Sequence, residues 1–321
     1  MKKIKLTIED IFNIRGAVIY NPDNYKPVTA VTIDSRHVPV NSIFIAIKGE
    51  KFDGHNFVKE AFKNGAAAVV VNADKYKKFE NLEIPVITVD DTTISLGEIA
   101  STWRSKLNTK IIGITGSAGK TSTKEMLSFF LNEKFSVNKT LANNNNHIGV
   151  PLTIFSTNNA HDVLVLELGT NHFGEIEYTS NISRPDYALI TNIGNSHLEF
   201  LKNKRGVLKE KLALFKSTAR NNGMIFINND DAFLKNAGYN FPQKISFGFK
   251  EKSDVKGKIT GYTDDGKPII EVRYKKFHLK EIFPLYGQQN ALNFLASAAV
   301  SFKLGLSADQ IKEGLKKLVP A

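Results

Sequence analysis

Residues 109–124, Thr-Lys-Ile-Ile-Gly-Ile-Thr-Gly-Ser-Ala-Gly-Lys-Thr-Ser-Thr-Lys, constrain the fold more than any other stretch of the chain. An apolar run (Ile111, Ile112, Ile114) breaks into a glycine-rich loop ending in Gly119-Lys120-Thr121. Apolar positions then recur at helical spacing (Met126, Leu127, Phe130, Leu131). Strand, glycine loop and helix in that order present backbone N–H groups to a phosphate chain. On this reading Gly116, Ser117, Ala118, Gly119, Lys120, Thr121 and Ser122 form the cradle. Lys120 reaches the outer phosphates, and the Thr121 hydroxyl meets Mg²⁺. The strict Walker pattern has glycine five residues before Gly119; Ile114 stands there, and Gly113 and Gly116 supply flexibility from shifted places. The alternative, a plain turn ahead of a core helix, leaves the Gly-Lys-Thr run without a purpose.

The order of elements around this loop predicts an α/β fold. Residues 1–86 read as a small α/β unit, with helical spacing at 8–14 and 56–64 and short strands at 28–33, 42–47 and 67–71. A short apolar run at 84–89 serves as the connection, and a helix near 94–107 leads into the glycine loop. Strands at 163–168, 187–193 and 224–227, with a helix near 207–217, then predict a mostly parallel sheet covered on both faces. Residues 245–283 alternate polar and apolar positions with turn signals, which predicts an antiparallel patch attached to that sheet. Helices at 287–303 and 307–318 follow, and the chain stops at Val319-Pro320-Ala321.

Composition narrows the function classes. A chain of 321 residues, 42% hydrophobic and 23% charged, accommodates two ordinary soluble domains. No apolar stretch reaches the length of a membrane span. Acidic residues at positions 9 and 10 interrupt any secretory signal core, which suits a cytoplasmic protein. The absence of cysteine removes disulfides, thiolate nucleophiles and thiolate metal sites. The net charge of +11 raises the question of nucleic acid. The lysines are scattered, however, and no arginine-rich arm accompanies them, so a polyanionic small substrate is the more economical use of the positive potential.

Two further residues stand where parallel sheets hold their ligands. Glu167 closes the strand at 163–168 ahead of Gly169, and reads either as a Mg²⁺ ligand or as a strand-end carboxylate capping the next turn. His197 follows the strand at 187–193, within reach of phosphate or a second metal, or else as a hydrogen-bonded loop residue.

In this order Gly113–Lys124, the Leu-Glu-Leu-Gly around Glu167, and residues 191–199 resemble the Mur ligase family of peptidoglycan synthesis. Asp34-Ser35-Arg36, residues 44–49 and Phe52-Asp53-Gly54-His55-Asn56-Phe57 look like the UDP-sugar-binding domain of one branch. That branch joins D-alanyl-D-alanine to UDP-N-acetylmuramoyl-tripeptide. The resemblance implies a UDP-sugar domain at 1–86 and a central ATP-binding domain at 87–321. It implies that Asp34, Ser35, Arg36, Asp53, Gly54 and His55 grip the UDP-sugar, with Asn145 and Asn146 in an asparagine-rich substrate loop where Ala142 replaces a usual glycine. Asn290 and Asn293 are similar to the helix start that meets adenine. Lys211, fourteen residues after His197, matches a lysine that carries a carbamate, although Ala213 replaces a common glutamate nearby. The implied cofactors are ATP and Mg²⁺. Thr121 and Glu167 would hold one ion, His197 and modified Lys211 another, and Lys120, His197 and Lys211 form the catalytic group.

The motif Asp-Tyr-Asn-Ala-Asn-Pro of the family's third, C-terminal domain has no counterpart here. The expectation is therefore that this chain binds the UDP substrate but ligates poorly alone. A competing reading makes it a binding or regulatory module that docks a separate C-terminal polypeptide. Another makes it a different ligase with the same central domain, such as a folylpolyglutamate synthase.

Overall fold

Runs of β-branched residues too apolar to face water dictate the two sheets of this protein. The computed structural model describes residues 4–250 and 252–318, so the chain end at 319–321 and the first three residues of the signal argument lie outside the described residues. The chain divides into two compact units, 1–108 with 147–160, and 109–146 with 161–321.

The first unit holds a five-stranded sheet. Its strands are β1 (Val18–Tyr20), β2 (Ala30–Thr32), β3 (Ser42–Ile45), β4 (Ala66–Asn72) and β5 (Val86–Val89), in spatial order β1-β5-β4-β3-β2. Strands β2 to β5 pair in parallel and β1 runs antiparallel to β5. Helices α1 (Ile8–Phe12), α2 (Val58–Lys63), α3 (Thr92–Ser105) and α5 (Gly149–Phe155) belong to the same unit. Two expectations change here. The run at 84–89 contains a buried strand, Val86–Val89, and is not a connection, because Val86 to Thr88 find backbone partners on both sides. The unit also extends past 86 to 108 and recovers 147–160, because α5 packs on α3 and the Trp103 indole donates to the Thr157 carbonyl at 2.9 Å.

The second unit holds nine strands in the order β14-β13-β12-β11-β10-β9-β6-β8-β7. They are β6 (Lys110–Thr115), β7 (Val137–Lys139), β8 (Val163–Glu167), β9 (Tyr187–Ile190), β10 (Met224–Asn228), β11 (Lys244–Gly248), β12 (Val255–Tyr262), β13 (Pro268–Tyr274) and β14 (Phe277–Ile282). Pairing is parallel from β7 through β12 and antiparallel only across β12, β13 and β14. The antiparallel patch therefore begins later than alternation in the sequence suggests. Strand β11 is docked in parallel on β10, with Ile245 and Phe247 in the core.

Helices α4 (Lys120–Leu131), α6 (Glu175–Ser183), α7 (Leu198–Leu201), α8 (Lys204–Arg220), α9 (Ala232–Gly238), α10 (Gln288–Lys303) and α11 (Ala308–Lys316) complete the unit. Phe130 of α4 meets Phe294 of α10 edge to face at 5.9 Å between ring centroids, inside a core that also takes Phe283. This contact fixes α10 against the helix that follows the glycine loop. Among the described residues, no helix is long and apolar enough to cross a membrane.

Candidate active site

Strand β6 lies inside its sheet, between β9 and β8, so the loop at its C-terminal end emerges where neighbouring strands can close around it. Gly116 has φ 155° and Gly119 φ 79°, and the loop lies against β9 and α10 too closely for a side chain. A Cβ on Gly116 would stand 1.8 Å from Thr191 Oγ1, and one on Gly119 would stand 2.5 Å from Asn293 Oδ1. The loop is also tied down by hydrogen bonds. Ser117 N–H donates to Asn192 O at 3.1 Å, Ala118 N–H to Asn192 Oδ1 at 3.1 Å, and Thr191 Oγ1 to Ala118 O at 2.6 Å. Gly116→Ala is accordingly expected to cost about 1–3 kcal/mol of stability, read as a lower Tm, because Thr191 and the backbone must both give way.

The start of α4 has no side-chain cap. Helices α3, α8, α9 and α11 are capped by the side chains of Asp91, Asn203, Asp231 and Ser307. The first turn of α6 is filled by the Glu210 carboxylate, which accepts from Gly174 N–H at 2.7 Å and Ile176 N–H at 2.8 Å. Gly119, at the start of α4, has no side chain to offer, so the leading N–H groups and the positive end of the helix face outward. Lys120 folds over the loop with Nζ donating to Gly116 O at 3.0 Å, and its pKa is lowered by burial, against the pull of Glu167.

Thr121 Oγ1 donates to Glu167 Oε2 at 3.0 Å, which spends its proton and leaves its lone pairs available to a cation. Glu167 is 2% exposed; Asn145 Nδ2 donates to its Oε1 at 2.9 Å, and its own N–H donates to Thr140 Oγ1 at 2.9 Å. The hydroxyl and carboxylate oxygens are hard donors of the kind Mg²⁺ takes, which fits the expected ion. Among the described residues, no cluster of three His, Asp or Glu side chains is placed to hold a metal unaided. A bound ion here must therefore take further oxygens from phosphate or water.

His197 and Lys211 approach the same place from other elements. His197 is exposed, adopts φ 51° and opens α7; its pKa is lowered by partial burial and then by the charges of Lys211 and Lys120. Lys211 projects from α8, is 2% exposed, and has its pKa pulled down from 10.5 to about 7, chiefly by burial and then by Lys120. Lys120 depresses both His197 and Lys211, and Lys211 depresses His197, so positive potential gathers where an anion would bind. Asn293 is buried beside Gly119, while the Asn290 amide turns to Tyr286 O at 2.9 Å. Asn145 donates to Glu167, and Asn146 is exposed in the adjoining loop.

The first unit carries a separate cavity of about 620 Å³, lined among others by Asp34, Ser35, Arg36, Phe52, Gly54 and Phe57. The Arg36 guanidinium grips Asp34 through Nε and an Nη at 2.8 Å each, and these bonds hold the Asp34 carboxyl well below the usual carboxylate range. Ser35 Oγ donates to Glu60 Oε2 at 2.9 Å. His55 is buried and does not line the cavity: its Nδ1 lies 2.6 Å from Asp53 Oδ1, and its Nε2 accepts from Asn72 N–H at 2.9 Å. Both ring nitrogens are thus used inside the unit, and Asp53 with His55 braces the turn that presents Gly54.

Sequence reasoning missed Lys124, Thr140 and Asn192. Lys124 had a signal, since it lies one turn after Lys120 among the apolar positions of α4. Thr140 and Asn192 had none, because their partners are far away in sequence.

An open helix start after a glycine loop, a hydroxyl–carboxylate pair and two depressed lysines define a protein that handles a nucleoside triphosphate. Residues 114–301 match the model of the Mur ligase middle domain, and residues 27–104 that of the Mur ligase family catalytic domain. The chain belongs to the Mur ligase family. It is 34% identical over 316 residues to a Bacillus subtilis protein named UDP-N-acetylmuramoyl-tripeptide–D-alanyl-D-alanine ligase, covering 98% of this chain and 67% of that one. A crystal structure of MurF from Acinetobacter baumannii superposes with a TM-score of 0.86 at 30% identity, over 100% of this chain and 70% of the other. MurF ligase from Thermotoga maritima in complex with ADP gives a TM-score of 0.76 at 29% identity, over 91% and 66%.

Proposed function

We propose that this chain carries the UDP-substrate and ATP sites of a MurF-type ligase, which joins D-alanyl-D-alanine to UDP-N-acetylmuramoyl-tripeptide in the cytoplasm. The observation that carries the reading is the convergence of Lys120, the Thr121–Glu167 pair, His197 and Lys211 on the uncapped start of α4.

The reaction makes an amide at the expense of ATP. A carboxylate oxygen of the tripeptide attacks the γ-phosphorus, the bond to ADP breaks, and an acyl phosphate forms. The amine of the dipeptide then attacks the acyl carbon, phosphate departs, and the amine loses a proton. The first step brings two anions together, so the site must lower their repulsion. The N–H groups at the start of α4 and the Lys120 ammonium bind the phosphate oxygens. Thr121 and Glu167 are the residues that would hold Mg²⁺, which supplies charge neutralisation and orientation on the phosphates when bound. Burial brings the pKa of the Lys211 amine down to about 7, which favours the neutral form that adds to CO₂. A C–N bond forms, a proton is released, and a cation becomes an anionic carbamate able to face a second cation beside His197. Asn293 supports the adenine end, with Asn290 at the same helix start.

In the first unit, Phe52 and Phe57 offer aromatic surface to a uracil ring, and Arg36 offers two N–H donors to a diphosphate in exchange for Asp34. Isothermal titration of the chain with UDP-N-acetylmuramoyl-tripeptide tests the reading. Arg36→Ala is expected to weaken binding by about tenfold or more without lowering Tm, since the Arg36 side chain is 76% exposed. Absence of binding by the unaltered chain sinks the assignment.

A further inference from the structure

Lys124 is a buried charge that the reaction does not obviously use. It is 1% exposed on α4, among Thr123, Leu127 and Ser128, all buried. Its ammonium donates to Thr140 O at 2.8 Å, pairs with Glu125 Oε1 at 3.2 Å, and lies 3.7 Å from Glu167 Oε2, an ion-pair distance without a hydrogen bond. Glu125 in turn pairs with Lys139. Buried and held by these partners, Lys124 is not free to swing toward phosphate, a task that Lys120 one turn earlier already fills. What Lys124 does is close a ring around Glu167. Thr140 takes the Glu167 backbone N–H, Asn145 takes one carboxylate oxygen, and Thr121 and Lys124 flank the other.

We propose that Lys124 is a positioning residue for the cation site: it holds Glu167 Oε2 against the Thr121 hydroxyl and so makes nucleotide binding depend on Mg²⁺. This rests on the assignment of Thr121 and Glu167 to Mg²⁺ given above. Without Lys124, that oxygen keeps only the Thr121 hydrogen bond among the contacts named here, and the carboxylate loses its fixed orientation.

The test is titration of the chain with a non-hydrolysable ATP analogue, once with Mg²⁺ and once with a chelator. For Lys124→Met the Mg²⁺-dependent gain in affinity should shrink by about tenfold or more, while affinity in chelator stays within about threefold of the unaltered chain. An unchanged gain, or a parallel loss in both conditions, overturns the proposal. Breaking a buried ion pair on one side can prevent folding, so the cycle also uses Glu167→Gln and the double variant, in which both charges are gone. If Lys124 acts through Glu167, the double variant and Glu167→Gln show the same Mg²⁺ response; a further loss in the double variant overturns the proposal. An unaltered chain whose affinity ignores Mg²⁺ overturns the cation-site assignment itself, a result distinct from the others.

Discussion

Lys120→Met is expected to weaken binding of an ATP analogue by about 10- to 100-fold while leaving Tm unchanged or slightly raised. The affinity falls because a charge-assisted hydrogen bond to phosphate is worth about 1.5–3 kcal/mol and methionine keeps only the length of the side chain. Stability is spared because the ammonium is partly buried and its burial already works against its charge. In the free chain it makes one bond, to Gly116 O, whose loss is minor beside the desolvation relieved. Titration calorimetry and a thermal melt on the same preparation separate the two effects. Equal affinity in the variant would remove the phosphate role from Lys120.

Lys211→Met is expected to act in opposite directions on stability and on the site. Lysine at 211 is 2% exposed with its pKa lowered from 10.5 to about 7, so the folded chain binds its proton less readily than the unfolded chain. Below about pH 7 both states carry the proton, and the folded state bears the full cost of a buried ammonium. That cost fades as pH rises from about 7 towards 10.5, where the amine is neutral in the folded chain and still charged in the unfolded one. In CO₂-free buffer the variant should therefore be more stable by about 2–4 kcal/mol in mildly acid solution, with the advantage shrinking as pH climbs. The same substitution removes the Lys211 amine that would carry the carbamate. With ¹³C-bicarbonate at mildly alkaline pH, the unaltered chain should give a carbamate resonance that the variant lacks. A variant no more stable at low pH would show that Lys211 is not the strained group its burial makes it.

Much of this site was legible before any coordinates, and for a definite reason. The glycine loop, Lys120, Thr121 and the helix behind them are contiguous in sequence, so local pattern and local geometry coincide. Glu167 and His197 were legible because each directly follows, or ends, an apolar strand of one parallel sheet, and such strands deliver their C-terminal ends to a common edge. The strand at 84–89 was misjudged because a short apolar run does not reveal whether it has neighbours. Helix α5 escaped notice and returns to the first unit only through its packing on α3.

The asparagine and histidine assignments divide along the same line. Asn145 and His55 sit in the motifs where they were expected, yet one faces Glu167 and the other is enclosed by Asp53 and Asn72. Asp53 is a near neighbour of His55, but Asn72 and Glu167 arrive from 17 and 22 residues away, and such distant partners decide the direction of these side chains.

By itself the sequence determined the alternation of strand and helix, the phosphate loop, and the residue types able to meet a triphosphate and its cation. These follow from hydrophobic period and turn chemistry, which act over a few neighbouring residues. Only the tertiary structure decided that Lys211 and Lys124 are buried, that Lys124 reaches Glu167, and that α4 starts uncapped beside Asn293. Burial of a charge is a property of everything packed around it, and those neighbours come from strands and helices that no local pattern connects.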